Sequence, residues 1–157
     1  SANLNLCGRS GKGIKIRIQI RIRIRIRIKS KSKKFDMKRF DHEKLNVYQE
    51  SIVFVGWAAD LLESIPKSMA VYNQLDRAST SVPLNIAEGN GKFTPKDRCK
   101  FFDIARGSAL EYAACLDVLV AKGKISSEIA ANGKASLVEV VSMLVGLIRA
   151  NSPDRNA

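Results

Sequence analysis

The chain is expected to be all-α: an antiparallel up-down-up-down four-helix bundle behind a low-complexity N-terminal tail. Three observations predict this. From residue 41 onward apolar residues recur at steps of three and four, and no strand-type alternation of any length interrupts them. Proline, glycine and capping residues break the pattern three times, near 66, 89–95 and 123–127, which leaves four segments joined by short connections. The 157 residues, 45% of them apolar, suit one domain that can bury a core without staples.

Residues 1–36 form the tail. Within it, 14–28 read IKIRIQIRIRIRIRI, with isoleucine at every even position and a polar residue, mostly arginine, at every odd one. A period of two would put all the isoleucines on one face of a strand. Such a segment could act as an arm on nucleic-acid phosphates, lie on an anionic membrane or add an edge strand. Its monotony favours a translated short DNA repeat with no selected role, because packed strands vary their side chains. Met37 directly precedes the start of the helical pattern. It is therefore the expected natural start, with 1–36 a mispredicted extension. If the tail is translated, repulsion among its arginines should keep it disordered until an anion neutralises them.

The tail also accounts for the net charge of +12. Residues 1–40 hold fourteen Lys/Arg and one acid, whereas 41–157 hold thirteen Lys/Arg against fourteen acids. The body is thus near neutral, and its bulk charge makes no case for nucleic-acid binding.

The body is expected to span 37–152. Its first helix is predicted over about 41–65, capped by Asp41, ended by Pro66 and striped by Leu45, Tyr48, Ile52, Val55, Ala59 and Leu62. Phe54 and Trp57 fall off that stripe and suggest a second apolar face. The second helix, about 68–89, carries Val71, Leu75, Ala78, Val82 and Ile86. Pro83 should kink it near Ser79, with Ser79, Thr80 and Ser81 helping to satisfy the freed carbonyl, and Gly89-Asn90-Gly91 should end it.

Thr94-Pro95-Lys96-Asp97 opens the third helix as cap, first-turn proline and first-turn acid. Its stripe is Phe101, Ala105, Ser108, Tyr112, Cys115 and Leu119, and Gly123 stops it. Ser126 or Ser127 caps the fourth, whose face is Leu137, Val140, Val141, Leu144, Leu147 and Ile148. Asn132-Gly133 should break or fray its first part. Residues 153–157 read as a frayed end.

Several chemistries are disfavoured. The three cysteines, Cys7, Cys99 and Cys115, form no C-x-x-C pair. On one helix, Cys99 and Cys115 would lie about 24 Å apart, so they are read as reduced packing thiols of a cytoplasmic protein. His42 is the only histidine and is expected at the surface or in a cap, so neither a Cys/His metal set nor a convincing triad can be assembled. No catalytic residue, metal, cofactor or small-molecule substrate is expected. No stretch reads as a membrane span of about 20 apolar residues.

Polar residues nevertheless sit within the apolar pattern. Asn85 follows Val82 by three and should point toward the interior or a groove beside it, with Glu88 one step further. If helices two and three fold back about a turn centred near residue 92, Glu88 comes level with Lys96 and Lys100, and Arg77 comes within reach of Glu111. Asn85, Glu88, Ser108 and Glu111 are thus expected to form a structural polar motif that fixes register through ion pairs and hydrogen bonds.

Three strings carry a family resemblance: Gln74-Leu75-Asp76-Arg77-Ala78, Ser81-Val82-Pro83-Leu84-Asn85-Ile86-Ala87-Glu88-Gly89, and the run Phe101 to Glu111, FFDIARGSALE. Together with Leu45-Asn46-Val47-Tyr48-Gln49 they resemble the four-helix-bundle proteins encoded in intervening sequences of bacterial 23S ribosomal RNA genes. The likeness covers about 40 to 150. It extends to the accessory variability determinant of diversity-generating retroelements, which works with a reverse transcriptase and RNA. The resemblance implies a left-handed bundle, a ring-shaped homopentamer and association with RNA or ribonucleoprotein. The near-neutral body departs from the strongly basic bodies of the retroelement relatives. Phosphate contacts are therefore expected only from Arg77, Lys92, Lys96, Arg98, Lys100 and Arg106, provided these share a face. The expected function is a non-catalytic oligomeric bundle associating with RNA or a ribonucleoprotein partner. The alternative is a protein–protein scaffold with no nucleic-acid contact.

Overall fold

The computed structural model describes residues 39–152; the expectations for the Ile-Arg tail, Met37 and the last five residues lie outside the described residues. A short 3-10 turn, Asp41–Lys44, leads into four helices: α1 (Asn46–Ser64), α2 (Ala70–Gly91), α3 (Pro95–Ala121) and α4 (Ser127–Asn151). Among the described residues there is no strand. Each helix packs on the two that flank it in a closed circuit, α1–α2–α3–α4–α1, and the connections are three to five residues long. Short connections force consecutive helices to run antiparallel. The 3-10 turn, the α2–α3 connection and the C-terminus of α4 therefore share one end of the bundle.

The four helices bury one continuous core. On α2 the expected stripe is the buried one: Val71, Leu75, Ala78, Val82 and Ile86 are all shielded from solvent. On α4, Leu137, Val140, Leu144 and Ile148 point inward, while Val141 and Leu147 are half-buried. On α3 the inward residues are Cys99, Phe102, Ala105, Ala109, Tyr112, Leu116 and Leu119, with Ser108 beside them. Phe101 and Cys115 yield their expected places to Phe102 and Leu116 and sit at the margin.

The stripe expected for α1 holds only in part: Leu62 is buried and Leu45 and Tyr48 pack on the core, and the second face suggested by Phe54 and Trp57 also turns inward. Its buried residues are Val47, Ser51, Phe54, Ala58, Asp60, Leu61 and Leu62, whereas Ile52 is 47% exposed and Ala59 faces solvent. The serine conceals the true stripe from a reading of apolar residues. Its hydroxyl donates to the Tyr48 carbonyl at 2.6 Å, so it enters the core with its polarity already satisfied. The helix also starts later than expected. Leu45 is extended (φ −73°, ψ 127°) and separates the 3-10 turn from α1, so Asp41 caps no α-helix. Ile65, extended ahead of Pro66, ends α1 as expected.

Of the features expected to shape the helices, one is absent and two differ in their chemistry. The helix α2 continues through buried Pro83. The hydroxyls of Ser79 and Thr80 go to the Asp76 carbonyl at 2.9 and 3.0 Å, and that of Ser81 turns to α3, so none reaches the carbonyl that proline frees. Gly89 does not end α2 by a left-handed turn but lets α3 approach. A Cβ there would stand 2.8 Å from the Phe102 ring. The helix nevertheless ends at Gly91, within the expected segment, with the extended Lys92 following it in place of a left-handed glycine. Asn132-Gly133 leaves α4 intact, because Gly133 is the seat of the Trp57 ring, 2.3 Å from where its Cβ would be. The left-handed glycine that does occur among the described residues is Gly123, φ 63°, after α3.

The expectation that no stretch is apolar enough to cross a membrane also needs correcting. By length and composition α4 qualifies, with 28% of its most apolar 18-residue window buried in the bundle. Interspersed Gly, Ala and Ser break up the valines and leucines and hide how few charges the helix carries.

Candidate nucleic-acid interface

The six basic residues named from the sequence divide into two groups. Four of them, Lys92, Lys96, Arg98 and Lys100, gather at the α2–α3 end. Thr94 caps α3 there: its hydroxyl accepts the Asp97 N–H at 3.1 Å and donates to the Asp97 carboxylate at 2.6 Å. Pro95 occupies the first turn, where its missing N–H costs nothing. Arg98 ties the tip to α2. Its Nε donates to the Lys92 carbonyl at 2.9 Å and its Nη2 to the Asn90 carbonyl at 3.1 Å, satisfying groups that the end of α2 leaves without helical partners. The Arg98 fork is thus committed to backbone.

Lys92 pairs with Glu88 one turn back on α2 at 3.0 Å, and its ammonium lies 4.6 Å from the Phe101 ring centroid. Glu88 therefore answers its own helix instead of Lys96 or Lys100, correcting the expected crossing pair. Lys96 and Lys100 stand one turn apart on one face of α3, both exposed, and neither has an ion-pair partner among the described residues. They are the cations most available to an anion.

The other two basic residues lie elsewhere. Arg77 is about 22 Å from Lys92 along α2. It donates to Glu111 and to Gln74, both at 2.7 Å. Arg106 lies about 9 Å beyond Lys100 along α3 and holds Asp103 at 3.3 Å. Arg77 and Arg106 thus stand away from the tip along the bundle axis. Sequence reading also passed over Lys67, Lys122 and Lys124, exposed at the opposite end of the bundle. Their wide separation in sequence hid them, and only the folding-back of two connections to the same end brings them to light.

The polar motif is a hydrogen-bond chain. The Asn85 amide donates to the Ser81 carbonyl at 2.8 Å and to the Ser81 hydroxyl at 3.0 Å. The Ser81 and Ser108 hydroxyls meet at 2.8 Å, and Ser108 donates to the Ile104 carbonyl at 3.1 Å. The proton direction that satisfies every member runs Asn85 to Ser81 to Ser108 to Ile104. Ser81 is the link the sequence reading missed. Glu111 takes part through Arg77 and Glu88 through Lys92, so neither carboxylate belongs to the half-buried chain. With Arg77–Glu111, the serine pair places the turn centre near residue 94, two residues later than expected.

Beside the basic tip lies a cleft of about 430 Å³ between the 3-10 turn and the end of α2, lined in part by Phe40, His42, Asn90, Lys92, Phe93 and Arg98. Phe40 stacks on His42 with centroids 5.7 Å apart, and His42 meets Tyr48 edge-on at 4.8 Å. Half-buried His42 is thus a packing residue of the turn. The hydrogen bond and charge of Lys44 hold the Asp41 carboxyl below its usual range. Among the described residues no group of His, Cys, Asp and Glu could hold a metal ion. Cys99 and Cys115 are both free thiols, and burial pushes that of Cys115 up.

A family model described as 23S rRNA-intervening sequence protein matches residues 43–146. Among solved structures, the chain is similar to a protein of unknown function from the S23 ribosomal protein family of Bacteroides thetaiotaomicron. The identity is 23%, the match covers 66% of this chain and 98% of that one, and the TM-score is 0.62. That likeness carries the fold alone. No curated protein matches.

Proposed function

The chain belongs to the 23S rRNA-intervening sequence protein family, and from that premise we propose that it is a non-catalytic, cytoplasmic, oligomeric bundle that associates with RNA or a ribonucleoprotein partner through its α2–α3 end. One observation carries the choice of end: Lys96 and Lys100 project from a tip that Arg98 and Thr94 hold in place. A braced backbone presents its lysines without the tip itself having to be ordered first. Arg77 and Arg106, each already paired with a carboxylate, are secondary.

Self-association is the second part of the proposal. Ile52 on α1 and Val138 on α4 are 47% and 63% exposed, and α4 is apolar well beyond its buried stripe. Such outward apolar surface suits contact with further copies of the chain better than contact with water. A ring of five copies, as the sequence resemblance implies, would present the tip five times and let weak phosphate sites add.

The test is RNA retention by the full chain across a salt series, against Lys96→Glu/Lys100→Glu. Each lost phosphate contact on a single strand should flatten the plot of log affinity against log salt by about 0.7. A slope that the charge reversals leave unchanged would instead favour a protein–protein scaffold.

A further inference from the structure

The basic tip carries two aromatic side chains that the core does not use. Phe93, in the α2–α3 connection, is fully exposed, and Phe40 is 74% exposed; both line the cleft, together with Lys92 and Arg98, while Lys96 and Lys100 follow on the outer face of the first turns of α3. Phe40 is held in place by its ring stack on His42, and its backbone N–H donates to the Glu43 carboxylate at 2.7 Å. A large apolar ring left in water is a cost unless something covers it. The surroundings say what suits it. Asn90 and Arg98 line the same cleft, so these rings are not the centre of an apolar patch of the kind that seats a protein partner. The carboxylates nearby are engaged: Asp41 with Lys44, Glu43 with the Phe40 amide, Glu88 with Lys92 and Asp97 with Thr94. Lys96 and Lys100 keep their charge for an incoming group. Phe93 precedes Lys96 by three residues, and exposed π-faces followed along a strand's path by uncommitted cations are the two components with which proteins hold unpaired nucleotides, bases on rings and phosphates on ammoniums.

We propose that this cleft is a binding site for single-stranded RNA, in which an unpaired base stacks on Phe93 and continues the Phe40–His42 stack, while Lys96 and Lys100 take phosphates of the strand where it leaves the cleft over the first turns of α3. This rests on the RNA-association reading above and adds to it the strandedness of the RNA and the residues that contact its bases. A fully paired helix keeps its bases stacked on one another and offers none to the rings.

The experiment is ultraviolet cross-linking of the full chain to a short oligouridylate, with the adduct-bearing peptides mapped by mass spectrometry. The mapping locates contacts at the cleft independently of any made by the arginine-rich tail. Uridine adducts are expected on the peptide Phe93-Thr94-Pro95-Lys96 and on the one containing Phe40. Phe93→Ala should lower the Phe93-region or Phe40 adduct yield about ten-fold, and Phe93→Trp should preserve it. Lys96→Glu/Lys100→Glu should abolish it, and a pre-annealed duplex should give none. Circular dichroism checks that each variant folds. Adducts confined to other segments, with retention still weakened by Lys96→Glu/Lys100→Glu, would overturn base stacking and leave the phosphate reading standing. Retention indifferent to both lysines, with no adduct at the cleft, would sink both. A Phe93→Ala protein with altered oligomer size and unaltered adducts would make Phe93 a subunit contact and overturn the proposal.

Discussion

The two sides of the bundle close in different ways. Along α2–α3 the backbones come close because the facing residues are small: Ala78, Gly89, Ala105 and the serine pair Ser81–Ser108. Register there is fixed by polar contacts that only one alignment satisfies, the hydroxyl chain inside and Arg77–Glu111 outside. Around α1 the space is filled by rings. Phe54 meets Tyr112 edge-on at 4.8 Å, and Trp57 lies 6.1 Å from Phe54 and 6.4 Å from Tyr112, against the notch of Gly133. One side is thus specified by direction and the other by volume. Directional contacts leave a trace in residue type and spacing. Volume matching leaves almost none, because it depends on which partners the fold brings opposite each ring.

Four substitutions break or sharpen that contrast. The largest effect is expected from Ile86→Asp, which strands a charge in the core where both sides meet. Ile86 has no solvent exposure, so the loss should exceed about 4 kcal/mol and abolish the helical circular dichroism signal at room temperature. A cooperative melt near that of the parent chain would mean the buried face of α2 is wrong.

Next is Gly133→Ala, the test of the volume-specified side. The added methyl would lie 2.3 Å from Trp57 and 2.9 Å from Leu116 Cδ1, and should cost about 3 kcal/mol in denaturant titration despite the better helix propensity of alanine. A stabilised variant would show that the rings have room to move.

Tyr112→Phe probes the same side with a smaller change of opposite sign. The Tyr112 hydroxyl is buried with no hydrogen-bond partner among the described residues, so its removal should raise stability by up to about 1 kcal/mol. Burial also pushes its ionisation well above the ordinary tyrosine value of about 10. The unfolded chain releases that proton first, so stability should be level below about pH 10 and fall above it. Tyr112→Phe should remove this part of the alkaline decline, as pH-resolved melts would show.

Arg77→Gln is the smallest. Its ion pair is 69% and 37% exposed, and water and salt screen it, so the expected loss is at most about 0.5 kcal/mol. A larger loss would mean that the outer pair, and not the serine chain, sets the α2–α3 register.

The same contrast explains what could be read in advance. The stripe of α2, the Thr94-Pro95 start of α3, the Ser126 cap of α4 and the Arg77–Glu111 pairing follow from residue type and spacing and are all present. The inward face of α1 did not follow, because Ile52 and Val55 make as good a stripe on paper as Val47 and Phe54, and Ser51 spoils the true one. The glycines misled for a related reason. Gly133 looks like a helix break and Gly89 like a left-handed end, yet α4 runs through Gly133, α2 ends two residues after Gly89 without a left-handed turn, and both glycines are gaps into which another helix's ring fits. At the basic tip, composition picked out the lysines but could not tell Arg98, spent on backbone carbonyls, from Lys96, which is free of ion pairs among the described residues.

The bracing of the connection by Arg98 has a kinetic consequence. A tip with its carbonyls tied down and its cap closed has little backbone disorder to lose on meeting a partner. Encounter would then be governed by diffusion and orientation, and differences in affinity among targets would arise in how long each one stays.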